Sequence, residues 1–255
     1  HLPAARQRAD VAVHHLLAEA QARQHFARFA FERIAVEFLE TMLQSVAPAG
    51  HPYTTLELLG RARALLEADF RANPGFVARM MIDLSAHYAA IDNVEEELAL
   101  LARARELADR ENDAETVAHA GCRLALLRAG RDELEEARRE LEPEARSLAR
   151  LRQAAVRTRM QCLLARAQLV IADGPPDSAL TLARQAVALA EAAADTGSVA
   201  YADALATVST QLHNQNRVRE ALVTNRRVTA ALDRIGRGST LPMLNARLDE
   251  ARYLR

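Results

Sequence analysis

Five positions set the register of this chain: Glu57, Glu97, Ala137, Ala179 and Ala221 follow one another at spacings of 40, 40, 42 and 42 residues. Around each, the same order recurs. A segment ends in a turn, two to four acidic or small residues follow, and an apolar helical stripe with alanine at a fixed offset comes next. A single globular core has no reason to keep such a period. A stack of helical hairpins does, because each hairpin can bury its apolar face only against its neighbours. The spacing therefore predicts an all-α solenoid of antiparallel helix pairs, whose extended concave surface is suited to binding rather than to chemistry.

Composition supports helices and excludes several functions. Half the residues are apolar, yet aromatics make up only 4% and tryptophan is absent, so alanine and leucine must fill the core, which suits closely packed helices. Period-two runs of β-branched residues are missing, and only nine glycines and eight prolines punctuate the chain, so strands have little support. All 33 cationic residues are arginine. Chemistry that needs a lysine amine is excluded, including the phosphate-binding lysines of P-loops and protein kinases. A net charge of −1 argues against a nucleic-acid partner, which would require a basic face. Acidic residues outnumber arginines two to one between Asp92 and Glu144, as expected of a solvated outer face.

Cys122 and Cys162, the only cysteines, lie in apolar stripes of adjacent units and are expected to be buried free thiols. Zinc-site spacing is absent, and no apolar run approaches the roughly 18 residues that cross a bilayer. The first residue is His1, not methionine, so a longer parent with any membrane anchor upstream is expected.

Residues 1–25 form a helix-prone lead-in, residues 26–235 the repeat array of about four to five helix pairs, and residues 236–255 a carboxy-terminal capping helix. Phe31, Ile34, Ala35, Phe38, Leu39, Met42 and Leu43 mark an amphipathic helix that stops before Pro48 and Gly50. Helices are then expected near 54–72, 76–91, 94–110, 114–129, 132–149, 152–172, 177–194, 198–214, 217–235 and 240–254. Thr54 or Thr55 supplies the first cap, and Pro143 should bend or shorten the helix that holds it.

Met81, Leu84, Ser85 and Tyr88, followed by Leu101 and Ala104, resemble the tetratricopeptide repeat, with Glu97 in place of its first helix-two alanine. The unit 202–235 is similar through Leu205, Val208, Ser209, Leu212, Ala221 and Val228, with Asn225 a departure. The unit 160–193 agrees through Leu163, Ala167, Val170, Ala179, Ala183 and Ala186, but carries Arg166 where leucine is expected. The unit near 116 is the weakest, its turn being expected to hold two extra residues. This resemblance implies a right-handed superhelical, TPR-like solenoid. A second resemblance rests on Phe38-Leu39-Glu40-Thr41-Met42-Leu43, Pro48, the stretch from Leu56 to Leu66, Asn73-Pro74 and Ala78-Arg79-Met80. It looks like the segment after the membrane span in bacterial Ser/Thr protein kinases with carboxy-terminal repeats; similar segments occur in membrane-anchored winged-helix regulators. It implies a sensing or docking region on the extracytoplasmic, periplasmic side, attached to the membrane only through an upstream anchor. The kinase's own catalytic motifs are absent from this chain.

In such an array the inner edges of the first helices meet the ligand. That edge selects Arg79, Asp83, Arg128, Gln161, Gln168, Asp203, Thr207, Thr210, His213 and Asn214, polar side chains able to hold a protein or peptide ligand. His14 and His15, with Glu19 one turn after His15, do not complete a metal site, and His87 and His119 are expected as packing histidines. Glu95, Glu96, Glu97, Glu135 and Glu136 open second helices, where the helix dipole favours negative charge. No nucleophile, metal or cofactor motif is organised, so neither an enzyme nor a bound cofactor is expected. The alternative to the membrane sensor is a free cytoplasmic adaptor or peptide-responsive regulator.

Overall fold

The computed structural model describes residues 31–44, 53–150 and 155–254; the side chains of residues 143–150, 173 and 176 are outside that description. The expected lead-in of residues 1–25, with His14, His15 and Glu19, and the stop at Pro48 and Gly50 fall outside the described residues. The described residues form helices and turns, with no strand among them. Two compact units divide the chain, His1–Phe76 and Val77–Arg255.

The first unit contains α1, described over residues 31–44, and α2 (Thr55–Ala68). A reciprocal cap starts α2: the Glu57 amide donates to Thr54 Oγ1 at 3.2 Å, and the Thr54 amide donates to Glu57 Oε2 at 2.8 Å. Aromatic side chains are scarce, and this unit collects them. Phe38 lies against Phe70 with ring centroids 5.6 Å apart, and Phe70 and Phe31 approach Phe76 at 5.7 and 5.3 Å.

The second unit takes in nearly all of α3 (Pro74–Ala90), then α4 (Val94–Arg110), α5 (Ala114–Gly130), α6 (Leu134–Arg150), α7 (Val156–Asp173), α8 (Pro176–Ala192), α9 (Val199–Asn214), α10 (Val218–Arg234) and α11 (Leu241–Tyr253). Glu97, Ala137, Ala179 and Ala221 are each the fourth residue of an even-numbered helix, and all four are buried. Glu57 does not share that place. It is the exposed third residue of α2, fixed there by its cap, so four of the five register positions are equivalent.

One turn, used six times, sets the period. Asp92, Asn112, Asp132, Ala194, Asn216 and Gly236 take the left-handed conformation, with φ between 56° and 73°. The next amide then reaches back five residues to a carbonyl of the ending helix: Asn93 to Tyr88, Asp113 to Ala108, Glu133 to Arg128, Asp195 to Ala190, Arg217 to Leu212 and Arg237 to Leu232, at 2.8–3.0 Å. Asn, Asp and Gly tolerate this conformation; Ala194 does so at a steric cost. The α7–α8 turn is different. Gly174 is extended, and a Cβ there would lie 2.7 Å from Val170 Cγ1, so glycine is required before Pro175.

Each helix from α4 to α11 packs on the next, and α5 also packs on α7 and α7 on α9. Antiparallel hairpins are thus stacked with their first helices side by side. Alanine permits the close approach: Ala179, Ala183, Ala186 and Ala190 of α8 are completely buried.

Three expectations need correction. Cys122 and Cys162 are joined in a buried disulfide, Cα to Cα 4.8 Å, rather than free. Their separation of 40 residues is one hairpin, so they occupy matching places on the adjacent first helices α5 and α7. Pro143, expected to bend or shorten α6, does not shorten the helix, which runs on to Arg150; a proline's φ is itself helical, even though its ring crowds the carbonyl four residues back. The two extra residues do not lie in the α5–α6 turn, which spans 131–133 just as the α3–α4 turn spans 91–93. The starts of α6 and α7 are 22 residues apart, against 20 between the starts of α4 and α5.

At the carboxy-terminal end α11 buries Met243, Ala246 and Tyr253. Its other face keeps Leu241, Leu244 and Leu248 exposed. Asn225 of α10, itself buried, donates from Nδ2 to the Ala246 carbonyl at 2.6 Å and anchors the helix.

Candidate functional site

The second unit contains a cavity of about 600 Å³ whose walls come from α3, α4, α5, α7 and α9 and from the residues around the start of α11. Its charged groups form a chain. Arg123 of α5 donates from Nη2 to Glu97 of α4 at 2.6 Å, and from Nη1 to the Ile82 carbonyl of α3 at 3.3 Å. The Glu97 side chain is only 4% exposed, so one guanidinium ties three helices together around a buried carboxylate. Burial pushes the Glu97 carboxyl up, against the pull of the touching Arg123.

Further into the cavity, Asp203 of α9 is half-buried, and its carboxylate makes no ion pair or side-chain hydrogen bond among the described residues. Desolvation pushes it up to about 6; Arg123 and Arg237 pull it down, and the charge of Glu97 adds a smaller push upward. His119 of α5 is driven the opposite way. Burial, then the charges of Arg123 and Arg157, lower it to about 4, so its imidazole is neutral at neutral pH. Asp83, at the exposed rim, is also raised by the protein around it, opposed by Arg157, Arg123 and His87. Gln161 of α7 lines the same cavity and is 8% exposed, with its Oε1 lacking a hydrogen-bond partner.

Of the ten residues selected from the sequence, the fold brings Asp83, Gln161 and Asp203 together in this cavity. Arg79 instead bonds Asp113, the amino-terminal cap of α5, at 2.9 Å. Arg128 is tied to Glu133 at 3.2 Å across the α5–α6 turn, with Glu140 at 3.9 Å. His213 lies against the Tyr253 ring, centroids 4.6 Å apart, and so meets α11. The Thr207 hydroxyl donates to the Asp203 carbonyl at 2.9 Å. Gln168 is half-buried on α7, while Thr210 and Asn214 are exposed on α9, and none of the three lines the cavity.

Arg123, Arg157, Arg237, His119 and Glu97 were not among the selected residues. Glu97 had a legible signal, because a carboxylate occupies a repeat position that elsewhere holds alanine; a helix-dipole role does not account for its burial and its bond to Arg123. Arg237 had none, since it follows the turn that closes α10 and belongs to no helix stripe. Among the described residues no cluster of three or more His, Cys, Asp or Glu could hold a metal ion. Nor is any described helix long and apolar enough to cross a membrane.

No protein-family model matches the chain, and no curated protein matches it in sequence. Among solved structures it is similar to a Podosopora anserina protein described as a kinesin light chain with nearly identical TPR-like repeats. The match has 17% identity and a TM-score of 0.42, covering 80% of this chain and 93% of that one. A single-substitution form of that protein gives 17% identity and a TM-score of 0.44, with 82% and 96% covered. The TPR-like fold of the present chain stands on its own hairpins, register and repeated turn.

Proposed function

We propose that this chain is a protein- or peptide-binding scaffold, and that it serves as the sensing or docking region of a membrane signalling protein, of the kind found in bacterial Ser/Thr kinases. The observation that carries the binding role is the cavity in the second unit. It gathers Asp83, Asp203 and Gln161, whose Oε1 has no partner, on walls joined by the Glu97–Arg123 pair. Polar groups convergent in a preformed concavity are what a ligand surface needs, whereas no group there is paired with a nucleophile or a metal set.

The Cys122–Cys162 disulfide supports the extracytoplasmic placement over a free cytoplasmic adaptor, because structural disulfides persist in oxidising compartments and are rare in the cytosol. A ligand that favours one packing of the hairpins over another would shift the array and so signal to the parent protein.

Selection of a displayed peptide library on the full chain tests the binding role. Enriched peptides should lose about tenfold or more in affinity against a Gln161→Ala, Asp203→Asn variant. Equal binding to both proteins removes the cavity as the site. Fractionation of the native protein tests the placement, and recovery with the soluble cytoplasmic fraction removes it.

A further inference from the structure

We propose that the cavity of the second unit takes a compact zwitterion: an amino acid, or a peptide of two or three residues with both ends free. Its ammonium would lie against Asp203 and Asp83, and its carboxylate against Arg157 and Arg237. This rests on the reading of the cavity as a ligand site, but not on the ligand being a protein.

The charge pattern points there. Arg123 is already engaged by Glu97 and the Ile82 carbonyl. Arg131, also on the wall, is held by Glu133 at 2.9 Å, which leaves the carboxylates of Asp83 and Asp203 and the guanidiniums of Arg157 and Arg237 with no contact pair among the described residues. Asp83 and Arg157 lie exposed at the rim and Asp203 and Arg237 are half-buried, so charges of both signs from four segments line about 600 Å³ of open volume without pairing. An anion alone would face Asp203, and a cation alone would face both arginines. A ligand carrying both signs satisfies all four groups at once.

Gln161 is the independent mark of a built site. Its side chain is more than nine-tenths buried and its Oε1 has no partner, so it offers an acceptor to a ligand N–H. Leu126 and Pro242 add apolar wall for a side chain. A long segment of protein, whose chain ends are consumed in peptide bonds, brings neither terminal charge.

The test is calorimetric titration of the full, disulfide-bonded chain with a library of unblocked tripeptides, with free amino acids as a second arm that separates the two sources. The best binder is then remade with an acetylated amino end or an amidated carboxyl end. Each block should weaken binding by about tenfold or more. Asp203→Asn should abolish the effect of acetylation, and an Arg157→Gln, Arg237→Gln variant should abolish the effect of amidation. The near-isosteric Asp203→Asn keeps the test valid if the arginine variant misfolds. Blocked and free forms binding equally, or no member of either arm binding tighter than about 1 mM, overturns the proposal. Capture of long displayed peptides without any tripeptide binding would overturn the zwitterion alone. Tripeptide binding with no displayed peptide captured would instead remove the protein-scaffold role.

Discussion

Replacing Asp203 with asparagine should make the protein sensitive to acid, although it removes an acidic group. The folded Asp203 carboxyl is pushed up to about 6 from 3.8, so the native state holds its proton more tightly than the unfolded chain. Stability from this group is therefore fully present below about pH 3.8 and is lost as pH rises through 6. The gap between 3.8 and about 6 corresponds to roughly 3 kcal/mol at neutral pH. His119 runs the other way. Its folded value is about 4 against 6.5, so its stability is present above pH 6.5 and is lost as pH falls through 4, again by roughly 3 kcal/mol. The two windows overlap between pH 4 and 6, and there the opposing slopes cancel. Asp203→Asn leaves the histidine slope uncovered, and His119→Gln leaves that of the aspartate. Urea unfolding of the three proteins between about pH 4 and pH 8 reads this directly, since other titrating groups drop out of each difference from wild type. Asp203→Asn should gain up to roughly 3 kcal/mol relative to wild type on going from pH 4 to pH 8, and His119→Gln should show the reverse trend. Difference profiles that stay flat with pH would refute the desolvation account of both groups.

Four further outcomes follow from single contacts. Ala194→Gly should raise stability by about 0.5–1 kcal/mol, read as a higher melting temperature, because it relieves a left-handed alanine at φ 56°. Reducing the Cys122–Cys162 bridge reopens a 40-residue separation and should cost up to about 4 kcal/mol, measured by denaturant unfolding with and without reductant. Glu97→Ala leaves Arg123 unpaired and should cost about 3–5 kcal/mol, whereas Glu97→Leu combined with Arg123→Met should recover most of it in a double-mutant cycle. Asn225→Ala, which removes the side-chain donor from α10 to the Ala246 carbonyl, should cost about 0.5–1.5 kcal/mol and increase amide exchange in α11 before other helices.

The backbone plan was legible because it is written in small, local signals. The boundaries of α4 follow from the turn at Asp92 and Asn93 and the stripe Leu98, Leu101, Ala104, Leu107, and the observed helix is Val94–Arg110 as expected, although Leu100 rather than Leu98 is buried beside Leu101. The period of forty is two passes of helix plus left-handed turn, and the Asp, Asn and Gly residues that tolerate such turns could be seen between the stripes. What could not be read depended on lateral neighbours. Periodicity along one helix places Cys122 and Cys162 inside, but only the packing of α5 on α7 brings their Cα atoms to 4.8 Å. Arg128 and Asp203 look alike as polar residues on an inner edge. Their difference lies in Glu133 and Glu140, which meet the arginine, and in the absence of any partner for the aspartate among the described residues.

The sites where this chain departs from its own repeat have the most specific roles. A repeat position filled by alanine in three helices is indifferent to which helix it touches, since any close neighbour buries it equally well. Glu97 at that position cannot be indifferent. Once buried it requires a cation, and Arg123 supplies one only when α3, α4 and α5 are in the observed arrangement. Asn225 acts in the same way at the other end, where a buried amide selects the Ala246 carbonyl and with it the position of α11. The uniform alanine and leucine packing makes hairpin stacking favourable; the polar departures decide which hairpins meet and at what rotation. The cavity lies where the first of these departures interrupts the apolar spine, and a repeat array can acquire a ligand site in this way without changing its backbone.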